Sequence, residues 1–336
     1  MRLTGSPTIE RHSAAQPHTA AAGPGALAVE TRGLRKTFGS LVAVDDLTIA
    51  VGEGEVFGFL GPNGAGKTTS VKMLMGLTRP SSGEARLLGR PLGDRGARRR
   101  IGFLPEMFRF HDWLTGEELL DLHARLYGMS AAERQRRVPE VLHMVGMYGR
   151  RGERLRAYSK GMQQRVGLAQ ALLPDPRLVI LDEPTSALDP IGRLDVRTII
   201  QTLRAEGRTV FLNSHLLSEV ESVCDRVAII NRGRVAATGP MRELLSRELL
   251  VELRLGRLGE EVERLVGRFG TIRDVERGLG RPVVVTVEVD DEEVVARLID
   301  ALVAAGVPVY GATPHHRSLE ELFFEVVEAT PERHER

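Results

Sequence analysis

The sequence predicts an α/β protein: a mainly parallel sheet with an inserted helical subdomain, followed by a small α+β domain. Three observations predict it. Short, largely apolar runs at residues 56–60, 178–181, 209–212 and 226–230 are separated by helix-length segments, the pattern of strands buried on both faces. A long charged stretch from about residue 104 to 171, helical in texture, lies between the first two runs. Beyond about residue 247 the pattern changes to short strands alternating with amphipathic helices.

In chain order, residues 1–26 are rich in Ala, Gly, Pro, Ser, Thr and His, without periodicity, and are expected to form a disordered tail. Arg2 and the alanine run suggest a signal peptide, but Pro17 and Pro24 break the apolar core it needs. Residues 27–245 are expected to form the main domain. Val56-Phe57-Gly58-Phe59-Leu60 reads as a buried strand entering a glycine-rich turn, with a helical run at Val71, Leu74 and Met75 beyond it. Within residues 104–171, Thr115-Gly116-Glu117-Glu118 is a capping box that opens a helix toward Leu119 and Leu122. Residues 246–330 are expected to form the accessory domain, with strands at 249–255, 283–289 and 307–310. Its helices are expected at 260–269, 291–305 and 318–327, the second placing Val294, Val295, Leu298, Ile299 and Leu302 on one face.

Composition narrows the class. A chain of 336 residues corresponds to about two domains. Lys and Arg number 46 against 45 Asp and Glu, so charge gives no reason to expect a nucleic acid or an anionic surface as partner. The single cysteine, Cys224, excludes an internal disulfide framework and a cysteine-rich metal site, and suits a reducing, cytosolic setting. No apolar run reaches the ~18 residues of a membrane-spanning helix; the longest candidate, 294–312, is broken by Arg297 and Asp300. Lysine occurs only at Lys36, Lys67, Lys72 and Lys160, so a retained lysine hints at a need for a compact ammonium.

The chemistry begins at Gly61-Pro62-Asn63-Gly64-Ala65-Gly66-Lys67-Thr68, followed by Thr69. Two glycines spaced five apart, then Lys and Thr, form a phosphate loop. Its N–H groups turn inward around phosphate oxygens, and the following helix points its positive end at them. Lys67 can reach the β and γ phosphates of a nucleotide, and the Thr68 hydroxyl can ligate Mg2+. Composition alone would produce the pattern in roughly 0.5% of such chains. A second element, Leu178 to Leu181 followed by Asp182 and Glu183, delivers two carboxylates to a buried strand end. Asp182 would hold Mg2+ and Glu183 would orient and deprotonate the attacking water.

Any phosphate-loop nucleotidase could show those two elements. Tyr158-Ser159-Lys160-Gly161-Met162-Gln163, some twenty residues before the acidic pair, narrows the choice. Here residues 29–240 resemble the nucleotide-binding subunits of ABC transporters, and the fold implied is that family's ATPase cassette. The resemblance implies that Ser159 and Gly161 belong to a signature loop facing ATP on the opposite subunit. Tyr158, Lys160 and Met162 depart from the family's Leu-Ser-Gly-Gly-Gln in a way that resembles export-type ATPases with a separate membrane subunit. It further implies that Phe38 stacks on adenine and that Glu106, in place of the usual Gln, senses the metal. Asp189 would lie in the loop crossing to the other subunit, and His215 would be the switch histidine at the γ-phosphate. The adjacent His315 and His316 read as surface residues.

The implied protein is an ATP hydrolase at the cytoplasmic face of the cell membrane, acting as a homodimer or a dimer with a homologous cassette. It would drive a separate polytopic membrane permease. The ending Ser318-Leu319-Glu320-Glu321-Leu322-Phe323 resembles the tail of single-cassette exporters. Phe108, Phe110 and Trp113 are candidates for an exposed aromatic partner face, with a core position for Trp113 as the alternative. Soluble relatives that act on ribosomes or in DNA repair usually have two cassettes, a long coiled coil or a zinc insertion. This chain shows none of these. A kinase or GTPase would explain neither the signature loop nor His215.

Overall fold

The computed structural model describes residues 26–245, 249–277, 282–316 and 318–328. The tail expected over residues 1–26 lies outside the described residues but for Ala26, and so do the side chains of His315 and His316.

The chain opens with a long hairpin, β1 (Leu27–Phe38) and β2 (Leu41–Gly52), and then enters β3 (Val56–Leu60) and α1 (Lys67–Leu74). Two short antiparallel strands follow, β4 (Ser82–Leu87) and β5 (Arg90–Pro91), then α2 (Arg95–Arg98) and β6 (Ile101–Leu104). The inserted helices are α3 (Gly116–Leu126), α4 (Ala131–Met144) and α5 (Lys160–Leu172). The sheet resumes with β7 (Leu178–Asp182), α6 (Pro190–Ala205), β8 (Thr209–Asn213), α7 (Leu217–Val223), β9 (Arg226–Asn231), β10 (Arg234–Pro240) and α8 (Met241–Leu245).

These strands form one ten-stranded sheet in the order β5-β4-β1-β2-β10-β9-β3-β8-β7-β6. The half β9-β3-β8-β7-β6 is parallel, as the apolar runs predicted. The other half is almost wholly antiparallel, joined to the first through β10, and corrects the expectation of a mainly parallel sheet. β1 and β2 were illegible because they alternate buried and exposed residues and contain polar groups that only tertiary contacts satisfy. Thr31, 1% exposed, donates to Leu47 O at 2.8 Å and accepts from Ile49 N at 3.0 Å.

Two cores flank the sheet. One packs α1 and the antiparallel arm around Phe57, Phe59 and Phe211, whose rings stand 5.7 and 5.2 Å apart. The other packs α3 to α7 on the opposite side. The Thr115 capping box forms, with both Thr115 and Glu118 bonding back to the helix start. Ser130 and Glu133 make a second one at α4. Phe108 and Phe110, expected on an exposed face, are instead half-buried against this core, with rings 4.8 Å apart. Trp113 is 63% exposed and stacks on His111 at 4.7 Å.

The second sheet contains β11 (Leu249–Leu255), β12 (Thr271–Glu276), β13 (Val283–Val289) and β14 (Val309–His316), with α9 (Glu260–Val266) and α10 (Glu292–Ala304) interspersed. Its order β12-β13-β11-β14 is a split βαβ arrangement with both helices on one face. β12 was missed because it is a largely exposed edge strand, Thr-Ile-Arg-Asp-Val-Glu, without an apolar run. β14 runs well past the expected 307–310; Pro314 is tolerated there because β14 is the other sheet edge.

The last helix, α11 (Leu319–Glu328), turns back onto the first domain. Leu319 and Leu322 enter the core beside α7, and the Leu319 N–H donates to Glu221 Oε2 at 3.1 Å. Asn231 Nδ2 donates to Val327 O at 3.3 Å. Among the described residues, no helix is long and apolar enough to cross a membrane.

Candidate active site

The site lies where the parallel strands β3, β7 and β8 end. The loop after β3 is held by backbone contacts that admit only glycine. A Cβ on Gly61 would lie 2.3 Å from Ile230 O, and one on Gly66 2.4 Å from Ala43 O. Gly66 also has φ of 102°, outside the range comfortable for other residues. The loop is thus pressed between β9 and β2 and opens into α1, whose N-cap, Gly66, offers no side-chain cap. The first-turn N–H groups of α1 are left for an anion.

Lys67, 9% exposed, folds over the loop and donates to Gly61 O at 2.5 Å and Pro62 O at 3.2 Å. Burial lowers its pKa, opposed by the nearby charges of Glu183, Asp182 and Glu106. Asp182, at the end of β7, and Asn213, at the end of β8, sit opposite each other in register, and the Asn213 amide donates to Asp182 Oδ1. Burial pushes the Asp182 carboxyl above the usual carboxylate range, and the charge of Glu106 adds to the rise.

Glu183 follows with φ of 54°, a left-handed conformation unusual for a glutamate, which takes its side chain out of the strand's alternation. Its N–H donates to Asn213 O at 2.8 Å, and Gln164 Nε2 donates to its carbonyl at 3.3 Å. Its Oε2 lies 2.6 Å from Nδ1 of His215. Burial again raises the carboxyl, with His215 opposing.

One cleft gathers Asn63, Gly64, Gly66, Lys67, Thr68, Thr69, Glu106 and Glu183 from among the residues singled out in the sequence. Gly61, Pro62 and Ala65 form the back of its loop, Asp182 lies beneath Asn213, and His215 reaches it through Glu183. Phe38 is 51% exposed and does not line the cleft; it pairs across the hairpin with Leu41, which does. Lys36 Nζ lies 4.8 Å over its ring.

Ser159, Gly161 and Asp189 line a different groove that shares no residue with the first. Ser159 caps α5, accepting from Met162 N at 3.2 Å, and Asp189 caps α6, accepting from Gly192 N at 2.8 Å. Asn213 was missed by the sequence reading. The available signal was its position at the end of an apolar strand, two residues before His215.

Three carboxylates, Asp182, Glu183 and Glu106, surround a single lysine. Asn213 Oδ1 is buried without a hydrogen-bond partner. Excess buried negative charge beside an unused acceptor and the Thr68 hydroxyl suits a hydrated divalent cation, and the residues therefore fit Mg2+. No group of three or more His, Cys, Asp or Glu able to hold a metal alone occurs among the described residues, so a cation bound here would need phosphate oxygens or water as further ligands.

A glycine cradle, a buried lysine and paired acids at the ends of parallel strands define a phosphate-loop ATPase. The family described as ABC transporter matches residues 44–186. An uncharacterized ABC transporter ATP-binding protein of Nostoc sp. is 47% identical over 66% of this chain and 68% of its own length. Nod factor export ATP-binding protein I of Cupriavidus metallidurans is 38% identical over 70% of this chain and 78% of its own. A dimeric ATP-binding cassette in a post-hydrolysis state with ADP and Pi superposes with a TM-score of 0.59 at 26% identity, covering 64% of this chain and 99% of that one. The chain belongs to the ABC transporter ATP-binding proteins, subunits that bind and hydrolyse ATP to drive transport.

Proposed function

We propose that this subunit energises export through a separate polytopic membrane protein, to which it binds at the cytoplasmic face. The observation that carries the reading is that Lys67 and Glu183 line one cleft, with Asp182 and His215 joined to it through Asn213 and Glu183, while Ser159 and Gly161 lie in another. Two copies, or one copy and a homologous cassette, would close two nucleotide sites between them. Export is favoured by the relative named for Nod factor export and by the departures in the signature loop.

In each site, the N–H groups of the loop from Gly61 to Thr69 would bind the phosphates, with Lys67 on the outer ones and Phe38 beside the adenine. Thr68 and Asp182 would hold Mg2+, with Glu106 and Asn213 oriented toward its water shell. When bound, the cation supplies charge neutralisation for the transferring phosphoryl group. Glu183, kept basic by a carboxyl that burial has raised, would take the proton of the attacking water. His215 orients that carboxylate, and Asp189 faces the second subunit. We assign residues 27–245 to the cassette and 246–330 to an accessory unit that returns its last helix to the cassette.

Glu183→Gln should reduce turnover by about 10²–10⁴ and trap an ATP-bound dimer, measured by steady-state hydrolysis and sizing. Wild-type turnover would remove Glu183 from its role. Lys67→Ala should weaken nucleotide binding measured by calorimetry. Purification of the tagged protein from mildly solubilised cells should bring down a polytopic membrane protein in stoichiometric amount. Ribosomes or DNA-processing proteins in its place would overturn the transport reading and leave the ATPase standing.

A further inference from the structure

α7 leads directly from His215 and carries a second carboxylate, Glu219, whose bonds reach past the cleft. Its Oε2 accepts a hydrogen bond from Thr185 Oγ1 at 2.6 Å. Thr185 is 3% exposed and stands two residues beyond Glu183. The other oxygen, Oε1, is buried with no hydrogen-bond partner, and Arg193 Nε lies 3.9 Å from it. That same nitrogen donates to Leu188 O at 3.3 Å. Glu219 therefore holds one end of the 185–193 segment and faces a cation at the other. Asp189 and the start of α6 lie between them. Thr185, Arg193, Arg197, Glu219 and Val223 line a narrow crevice between α6 and α7.

A carboxylate taken out of water is costly unless both oxygens find donors. The neighbouring Ser218 is exposed and could carry a charge at no such cost. At 3.9 Å the Arg193–Glu219 pair is about 1 Å longer than an ordinary hydrogen bond, so a shift of one element by about 1 Å would close it.

We infer that Glu219 is a positioning residue for ATP hydrolysis: it fixes α7 to the 185–193 segment and so sets His215 against Glu183. The inference rests on the proposed roles of Glu183 and His215. Glu183 is held from the β8 side through Asn213 O and from α5 through Gln164. His215 is 56% exposed, and its place depends on where α7 begins. Beside the direct Glu183–His215 contact, Glu219 adds a second polar tie, from the helix that follows His215 to the segment that follows Glu183.

The test uses the full chain with Glu219→Ala, Thr185→Val, the double variant, Glu219→Gln and, as reference, Glu183→Gln. Each single loss of the bond should lower kcat about tenfold, the worth of one charge-assisted hydrogen bond. The KM for ATP should stay within about twofold, because no phosphate contact is touched. The double variant should be no slower than either single one, and Glu219→Gln, whose amide oxygen still accepts from Thr185, should recover most of the rate. Unchanged kcat, multiplying losses in the double variant, or a rise in KM that accounts for the loss would each overturn the inference. Should Glu219→Ala fail to fold, Thr185→Val and Glu219→Gln decide it alone. A Glu183→Gln protein of full turnover would bring down the reading of the site, and this inference with it. A large loss there, with none at Glu219 and Thr185, would refute the positioning role alone.

Discussion

Leu319 anchors α11 to the cassette, and its truncation tests whether the chain's return from the small sheet is part of the stable fold. The side chain is fully buried, and Leu322, one turn on, is 7% exposed in the same core. Removing three carbons from such a site costs about 2–5 kcal/mol, with the upper part of the range where neighbours cannot collapse into the space. Leu319 sits against α7, which is held at its far side by the Glu219–Thr185 bond, so little collapse is expected and about 3 kcal/mol is a reasonable centre. For a unit of cassette size each kcal/mol moves the midpoint by about 2–4 °C, so Leu319→Ala should lower Tm by about 6–12 °C in calorimetry. The alternative course is local: α11 undocks while the sheet stays folded. Tm then falls less, and amide exchange speeds up in α11 and at the Leu319 N–H, which loses Glu221. Phe324→Ala, on the same helix but 53% exposed, is the control and should stay within about 0.5 kcal/mol of the parent. Leu319→Ala matching that control in both Tm and exchange would refute the docking.

Four further outcomes follow from the geometry. Hydrolysis should lose rate as pH falls through a pKa above 4.5, because burial raises the Glu183 carboxyl and only its ionised form accepts the proton. The same shift has a sign in stability. The folded state binds the proton more tightly than the unfolded chain, so stability falls as pH rises from about 4.5 through the raised value; Glu183→Gln should raise Tm at neutral pH, with the gain fading below about pH 4.5. Thr115→Ala, which removes one half of the α3 capping box, should cost about 1 kcal/mol in denaturant unfolding. Cys224 is buried, with its thiol pKa pushed up by that burial, and should resist thiol reagents in the native protein while reacting fully in denaturant.

The parts legible in the sequence were those whose signal is local. The strand before Gly61, the acids after Leu181 and the capping box at Thr115 each declare themselves within eight residues, because buried strands, phosphate turns and helix starts are short-range devices. β1 and β2 were not legible. Their half-buried pattern is decided by pairing with β4 and β10, and Thr31 is acceptable in the core only because Leu47 and Ile49 meet it there. Asn213 was hidden for the same reason, since its meaning lies in being in register with Asp182 on another strand. Phe108 and Phe110 were misplaced because an aromatic pair in a polar stretch reads alike whether it covers a core or waits for a partner. The turn of α11 onto α7 could not be read at all: Leu319 and Leu322 mark an apolar face, and nothing local says which of two cores receives it.

The two grooves also differ in charge, and the difference bears on the proposed dimer. The phosphate-loop cleft holds three carboxylates against one ammonium, so alone it is a poor home for the outer phosphates of ATP. The signature groove presents the opposite balance. Lys160 lines it together with Arg150 and Arg165, and the N-terminal end of the thirteen-residue α5 opens into it. Ser159 Oγ satisfies only the Met162 N–H, which leaves other first-turn N–H groups of α5 facing outward. Arg150 and Arg165 are engaged by Glu153 and Asp195, so the ammonium of Lys160 and the helix end are the charges left to offer. In a chain that otherwise uses arginine almost throughout, lysine stands at both Lys67 and Lys160. A flexible stem with a point charge can follow a phosphate as two subunits approach, where a planar guanidinium held by carboxylates cannot. In the proposed dimer, Lys160 in place of the family's glycine would add positive charge from the second chain to that which Lys67 and a bound cation would supply in the first cleft.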